Sequence, residues 1–208
     1  MDLQFFGANC VTITTKNGRI VVDDNLADLG GKTVAKNGDM VLYSGQHGLP
    51  GVDTKLLIDS PGEYELSGFV IKGIAARAHI DEIGQFSTTI YKVTSDDVSV
   101  VITGHIDPEI GANLVEQLAG VDVLCLPVGG NGYTLDGLGA LQIIKQIEPN
   151  VVIPTHYQDQ YLKYSVPQQN LSQALQALAM ETKATLQKLR IKPADFGETS
   201  ELIVLERS

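Results

Sequence analysis

The sequence runs to 208 residues, 43% hydrophobic and 19% charged, which suffices to bury one large core, so residues 1–208 are read as a single domain. A formal charge of −10 and a pI near 4.7 repel a phosphate backbone and argue against a nucleic-acid partner. No apolar segment reaches the roughly 18 residues that span a bilayer. The opening MDLQFFGANC also lacks the basic, apolar, small-residue order of a secretion signal, so a cytoplasmic protein with no membrane partner is expected.

Taken in chain order, CVTITTKNGRIVVDD carries two β-branched runs around KNG, a predicted hairpin in which Asn17 and Gly18 supply positive φ. DMVLYS and KLLIDS read as buried strands, followed by GFVIKGIAARAH and by STTIYKVTSDDVSVVITGH, with SDD as the turn. DPEIGANLVEQLAG reads as a helix capped by Asp107, with Pro108 in its first turn. Strand VDVLCLPV, helix LDGLGALQIIKQIEP and strand NVVIPTH then alternate, which argues for strands packed under helices. QQNLSQALQALAMETKATLQKL has apolar residues at three- and four-residue spacing and is predicted as one amphipathic helix, and SELIVLERS as a final strand. Cys10 and Cys125 each lie in an apolar run and read as buried thiols rather than a disulfide.

The histidines carry the most information. There are four, His47, His79, His105 and His156, and each ends an apolar, strand-like segment. One such residue alone reads as a hydrogen-bonded structural histidine. Four at strand ends read differently, because imidazole ligands must converge to about 2.1 Å from a shared metal and strand ends at one sheet edge are a rigid way to bring them there.

With these residues in view, the sequence resembles the metallo-β-lactamase fold superfamily, and within it the metal-dependent hydrolases similar to the ascorbate-6-phosphate lactonase group. The stretches that carry the likeness, in order, are FFGANCVTITTKNGRIVVDD with Asp23, MVLYSGQHGLPGV, SPGEYELSGFVIKGIAARAH, VVITGH, VDVLCLPVGGNGYTLD and VVIPTHY. The resemblance implies an α/β fold, an αββα sandwich of two facing mixed β-sheets with helices outside and metals at one edge of the sheets.

The departures matter as much as the matches. The family's HxHxDH loop falls on Gly45, His47, Leu49 and Pro50, so three of its four ligand positions are replaced. His79 and His156 match ligand positions, and His105 stands where the bridging aspartate would be. Four neutral imidazoles cannot offset the repulsion between two dications, so a binuclear site is not expected. One Zn²⁺, or Mn, Fe or Ni in its place, held chiefly by His47, His79 and His105 with His156 as a substitute ligand, remains open, as does no metal at all. The carboxylates Asp23, Asp59, Asp81 and Glu82 read as solvated turn residues.

In PVGGNGYTLDG, Gly129 and Gly130 ahead of a helix are candidates for binding an anion through backbone N–H groups, with Tyr133 beside them. A tight turn capped by Thr134 or Asp136 explains the same residues. HIDEIGQF, residues 79 to 86, is expected as a mobile loop over the opening. Three functions follow: a metal-dependent hydrolase with a degenerate, at most mononuclear site acting on a small acidic or phosphorylated ester or lactone; an inactive sandwich serving as a binding or assembly module; or a structural component of a homo-oligomer.

Overall fold

The structure, a computed structural model, describes residues 1–197 and 199–208. The first six-residue strands, β1 (Asp2–Gly7) and β2 (Cys10–Thr15), pair antiparallel, as do β2 and β3 (Gly18–Val22); β4 (Met40–Leu42) and β5 (Leu56–Ile58) add in parallel. The β2–β3 hairpin forms where predicted, but neither Asn17 nor Gly18 has positive φ. The turn residues are Lys16 and Asn17, and the Thr15 hydroxyl accepts the Asn17 N–H at 3.2 Å. Left-handed pairs occur at two other hairpins. Ser67 and Gly68 (φ 54° and 71°) join β6 (Gly62–Leu66) to β7 (Phe69–Ala76), and Asp96 and Asp97 (φ 51° and 59°) join β8 (Thr88–Ser95) to β9 (Val98–Ile102).

The rest of the chain alternates. Helix α1 (Ala112–Leu118) precedes β10 (Val123–Pro127), and helix α2 (Gly137–Ile147) precedes β11 (Val151–Thr155). Helix α3 (Leu171–Leu178) is followed by β12 (Thr182–Leu186), β13 (Leu189–Arg190) and β14 (Glu201–Leu205). α1 starts later than its sequence suggests, because Asp107 is engaged by Arg77 Nη2 at 2.9 Å and by the Glu109 N–H rather than capping a helix. α2 is capped as expected, its Asp136 side chain accepting the Gly139 N–H at 2.8 Å.

The single helix expected over 168–189 is two elements. Asn170 and Gln173 form a reciprocal capping box at the start of α3, and Ala179, in the left-handed region at φ 51°, stops it after eight residues. Thr182–Leu186 then alternates half-buried and exposed positions and pairs in parallel with β14, an edge strand whose period of two was masked by the helical spacing before it.

Two mixed sheets face each other, one in the order β13-β1-β2-β3-β4-β5 and one in the order β12-β14-β11-β10-β9-β8-β7-β6. Their inner faces form one core in which Phe5, Ile13 and Ile20 meet Phe69, Tyr91 and Ile153. β9, β10 and β11 are buried at every position because α1, α2 and α3 cover the outer face of their sheet through Leu118, Ile143, Ile144 and Leu178. The outer face of the six-stranded sheet is covered differently, by Leu26, Ala35 and Leu162 from connecting segments, over Cys10, Val21 and Val41. Both cysteines are buried and free. Among the described residues no helix is long and apolar enough to cross a membrane.

Candidate functional site

Strand ends from both sheets converge on one cavity of about 380 Å³. Its walls include His47 beyond β4, His105 beyond β9 and His156 beyond β11, so three of the four predicted histidines share it. His79 does not line it. Its backbone N–H donates to the His105 carbonyl at 2.8 Å, while its buried Nδ1 takes no partner among the described residues. Gly45 and Tyr133 line the cavity; Leu49, Pro50, Gly129 and Gly130 do not.

Backbone contacts across the sheet edge build the site. The Ser44 carbonyl accepts both the Thr89 N–H and the Thr88 hydroxyl at 2.8 Å, tying β4 to β8. Gly104, at φ 60°, lies so close to Ser44 that a Cβ there would collide with its side chain, so only glycine lets β9 deliver His105 to this point. On the other side the His156 N–H donates to the Ala8 carbonyl at 2.7 Å, and His156 itself is left-handed at φ 51°. That conformation is costly for a residue with a side chain and is maintained by the surrounding contacts. Gly129 packs so tightly against the His156 carbonyl and the Gln168 side chain that a Cβ is sterically excluded. The Gly130 N–H is spent on the Leu135 carbonyl at 2.9 Å within its own loop, while Gly129 lets that loop pack against the His156 turn.

His105 and His156 lie edge to face, ring centroids 4.5 Å apart and planes at 82°. Tyr133 stands against His105 at 4.8 Å and Tyr164 against His156 at 5.1 Å. Burial pushes His156 down to about 4, and burial with the neighbouring His156 pushes His105 down to about 3, so both rings are neutral at pH 7. Gln168 fixes the His156 tautomer. Its amide nitrogen donates to the Val166 carbonyl at 2.7 Å, leaving Oε1 to accept from His156 Nδ1 at 3.1 Å. His156 therefore carries its proton on Nδ1 and keeps a lone pair on Nε2.

The opposite wall holds a residue whose sequence reading needs correction. Asp23 is no solvated turn: it is 2% exposed, in the left-handed region at φ 51°. Its carboxylate accepts the Ser44 N–H at 2.7 Å and the Ser44 hydroxyl at 2.6 Å, and lies 3.7 Å from His47 Nε2. Burial raises the Asp23 carboxyl above its ordinary range, against the opposing pull of His47 and Ser44. Asp59 and Glu82 are exposed, as expected. Asp81 is a clasp instead, accepting from the Ala78 and Ser87 N–H groups and the Ser87 hydroxyl at 2.6–2.9 Å, and so pinning both ends of the 79–86 loop. Tyr164 and Gln168 went unpredicted, since nothing near them in the chain marks them as neighbours of His156.

Among the described residues no group of three His, Cys, Asp or Glu side chains converges as a metal cage. This does not fit a two-ion centre. The two neighbouring imidazoles, one with its proton held on Nδ1, are donors of the right type for at most a single ion.

The comparisons agree with this architecture. A UPF0173 metal-dependent hydrolase of Archaeoglobus fulgidus is 30% identical over 106 residues, 51% of this chain and 43% of that one, so the match spans less than half of the relative's length. A Thermotoga maritima structure assigned to the Zn-dependent hydrolases of the metallo-beta-lactamase superfamily aligns over 99% of both chains, with TM-score 0.79 and 23% identity. A structure from Parabacteroides distasonis, assigned as a metal-dependent hydrolase, aligns over 98% of this chain and 93% of its own, with TM-score 0.66 and 17% identity. The beta-lactamase superfamily domain matches residues 2–156, from the first strand to the last cavity histidine, and the chain belongs to that superfamily.

Proposed function

We propose that this protein is a metal-dependent hydrolase reduced to at most one ion, cleaving a small ester or lactone in the cavity between the sheets. The observation that carries the reading is the pair His105 and His156, neutral and side by side, with the His156 lone pair directed by Gln168. Rings that titrate at about 3 and about 4 are weak general bases at neutral pH, where an effective base sits near 7. As metal ligands they need no such match, because a ligand must simply be deprotonated. The same property that spoils them as bases suits them as ligands.

His105 and His156 would hold the ion, zinc or another borderline metal such as Mn, Fe or Ni, which when bound supplies a water of lowered pKa. Tyr133 and Tyr164 wall the two rings and limit solvent around them. His47, with the Asp23 carboxylate beside Nε2, faces them from the six-stranded sheet and is placed to take or return a proton. Among the described residues no lysine or arginine lines the cavity, so an acidic or phosphorylated head group would find no countercharge there. A neutral ester or lactone suits the lining better.

Elemental analysis of protein purified without an affinity tag tests the reading. Up to one equivalent of metal is expected, lost in His156→Ala and His105→Ala, together with chelator-sensitive turnover of simple esters. A second reading, a binding module without turnover, is favoured by the absence of a three-donor cage among the described residues. Metal below a tenth of an equivalent, with no ester turnover, would decide for it.

A further inference from the structure

Exposed apolar side chains are concentrated on one part of the rim of this cavity. Among the described residues eight large hydrophobic side chains are exposed, and five of them, Leu49, Ile80, Ile83, Phe86 and Tyr133, stand on three of the loops that border the cavity. Ile80, Ile83 and Phe86 are 67%, 91% and 66% exposed, a density that an ordinary solvated loop does not carry. Ile80 and Ser87 both line the cavity, so the segment between them, with Ile83 and Phe86, arches beside the opening. The Asp81 clasp on Ala78 and Ser87 holds the base of this arch together, so the apolar side chains are presented on a formed loop.

We infer that this rim takes the alkyl or acyl chain of an amphiphilic substrate whose neutral head enters the cavity. The inference rests on the hydrolase reading for the chemistry at the head and names the substrate class it requires. Continuity decides the occupant: Ile80 and Tyr133 belong both to the rim and to the cavity wall, and Ile83 and Phe86 stand on the same short loop as Ile80, so a chain leaving the head meets an apolar loop. Charge opposes the other occupants. Residues 43–51 and 78–87 contain no lysine or arginine, and the arch carries Asp81 and Glu82 on a chain of net charge −10. Anionic lipid would be repelled, and so would a second copy.

Straight-chain p-nitrophenyl esters from acetate to octanoate, with each rate divided by its alkaline hydrolysis rate, test the inference. Full burial of a methylene gives a gain of about fourfold, so a partly open rim gives roughly twofold per methylene in kcat/KM. The octanoate-to-acetate ratio should fall at least tenfold in Ile83→Ser/Phe86→Ser, while Val70→Ser, at an exposed apolar residue of β7, keeps it. In parallel, binding of straight-chain primary amides from four to ten carbons is measured by calorimetry. Amide affinity that climbs with chain length and collapses in the double variant, without any ester turnover, supports the rim and removes the hydrolase reading. Turnover with no dependence on chain length, or amide affinity independent of it, overturns the rim. So does dimerisation, or co-sedimentation with phosphatidylcholine vesicles, that the double variant abolishes.

Discussion

The Asp23 carboxylate stands 3.7 Å from His47 Nε2 while holding both the N–H and the hydroxyl of Ser44. Ser44 is therefore the joint between the two walls of the cavity, since its carbonyl also binds Thr88 and Thr89 on the facing sheet. Ser44→Ala removes the hydroxyl donor and leaves a buried carboxylate oxygen unmet, which should cost about 1–3 kcal/mol in denaturant unfolding. Ser44→Thr, which keeps the hydroxyl, should cost less. Equal losses in the two variants would show that packing and not the hydrogen bond is at stake.

Gly104 tests how tightly β9 must approach β4. Gly120 offers the comparison, having a similar φ of 67° but open space where a Cβ would go. Gly120→Ala should therefore show only the left-handed penalty, about 1–2 kcal/mol. Gly104→Ala carries the same penalty and a collision with Ser44 besides, and should lose at least 1 kcal/mol more. Chemical denaturation of the pair reads the difference directly, and equal losses would mean that the sheet edge yields.

Acid should weaken the metal-free fold through the cavity histidines. The folded values, about 3 for His105 and about 4 for His156, lie below the ordinary 6.5, so on acidification the unfolded chain takes up protons first. The stability from these groups is complete above about 6.5 and drains away as pH falls toward about 4 for His156 and about 3 for His105. For His156 the drop from 6.5 to about 4 corresponds to roughly 3 kcal/mol at most. Chelator-treated protein should lose stability over this window, and His156→Gln should flatten the slope. An unchanged slope would show that the ring is protonated in the folded state.

Gln168 engages His156 through a single hydrogen bond to Nδ1, so Gln168→Leu separates the orienting hydrogen bond from the ligand itself. Loss of such a partner typically lowers metal affinity 10- to 100-fold. The ring nitrogen shifts of His156 should also move from one defined tautomer toward a mixture, a change that packing alone would not produce. Zinc titration and nitrogen NMR measure the two effects.

How much of this was legible in the chain depends on how local the signal is. Strands β9, β10 and β11 are short apolar runs with clear turns, and α2 announces itself through Asp136 and its apolar spacing. The histidines at strand ends were readable because the polypeptide marks where a strand stops. Asp23 was misjudged because its burial comes from Ser44, 21 positions away, and no local pattern reports such a partner. His79 was expected inside the cavity and lies beside it, since a strand end fixes a residue's height but not the direction of its ring. The region after Ala179 failed for another reason: Thr182–Leu186 follows a helix without a break in composition, and only the parallel pairing with β14 makes it a strand.

The six-stranded sheet wears a coat of connecting segments where its neighbour wears helices. A coat fastened by a few side chains such as Leu26, Ala35 and Leu162 can lift without unfolding the sandwich. Cys10 lies beneath it, whereas Cys125 is locked between the sheets. A thiol reagent should therefore label Cys10 first, through a breathing motion, and Cys125 only at the pace of global unfolding, so the protein carries two clocks for its own opening. Equal labelling rates would mean that the coat and the sandwich come apart as one.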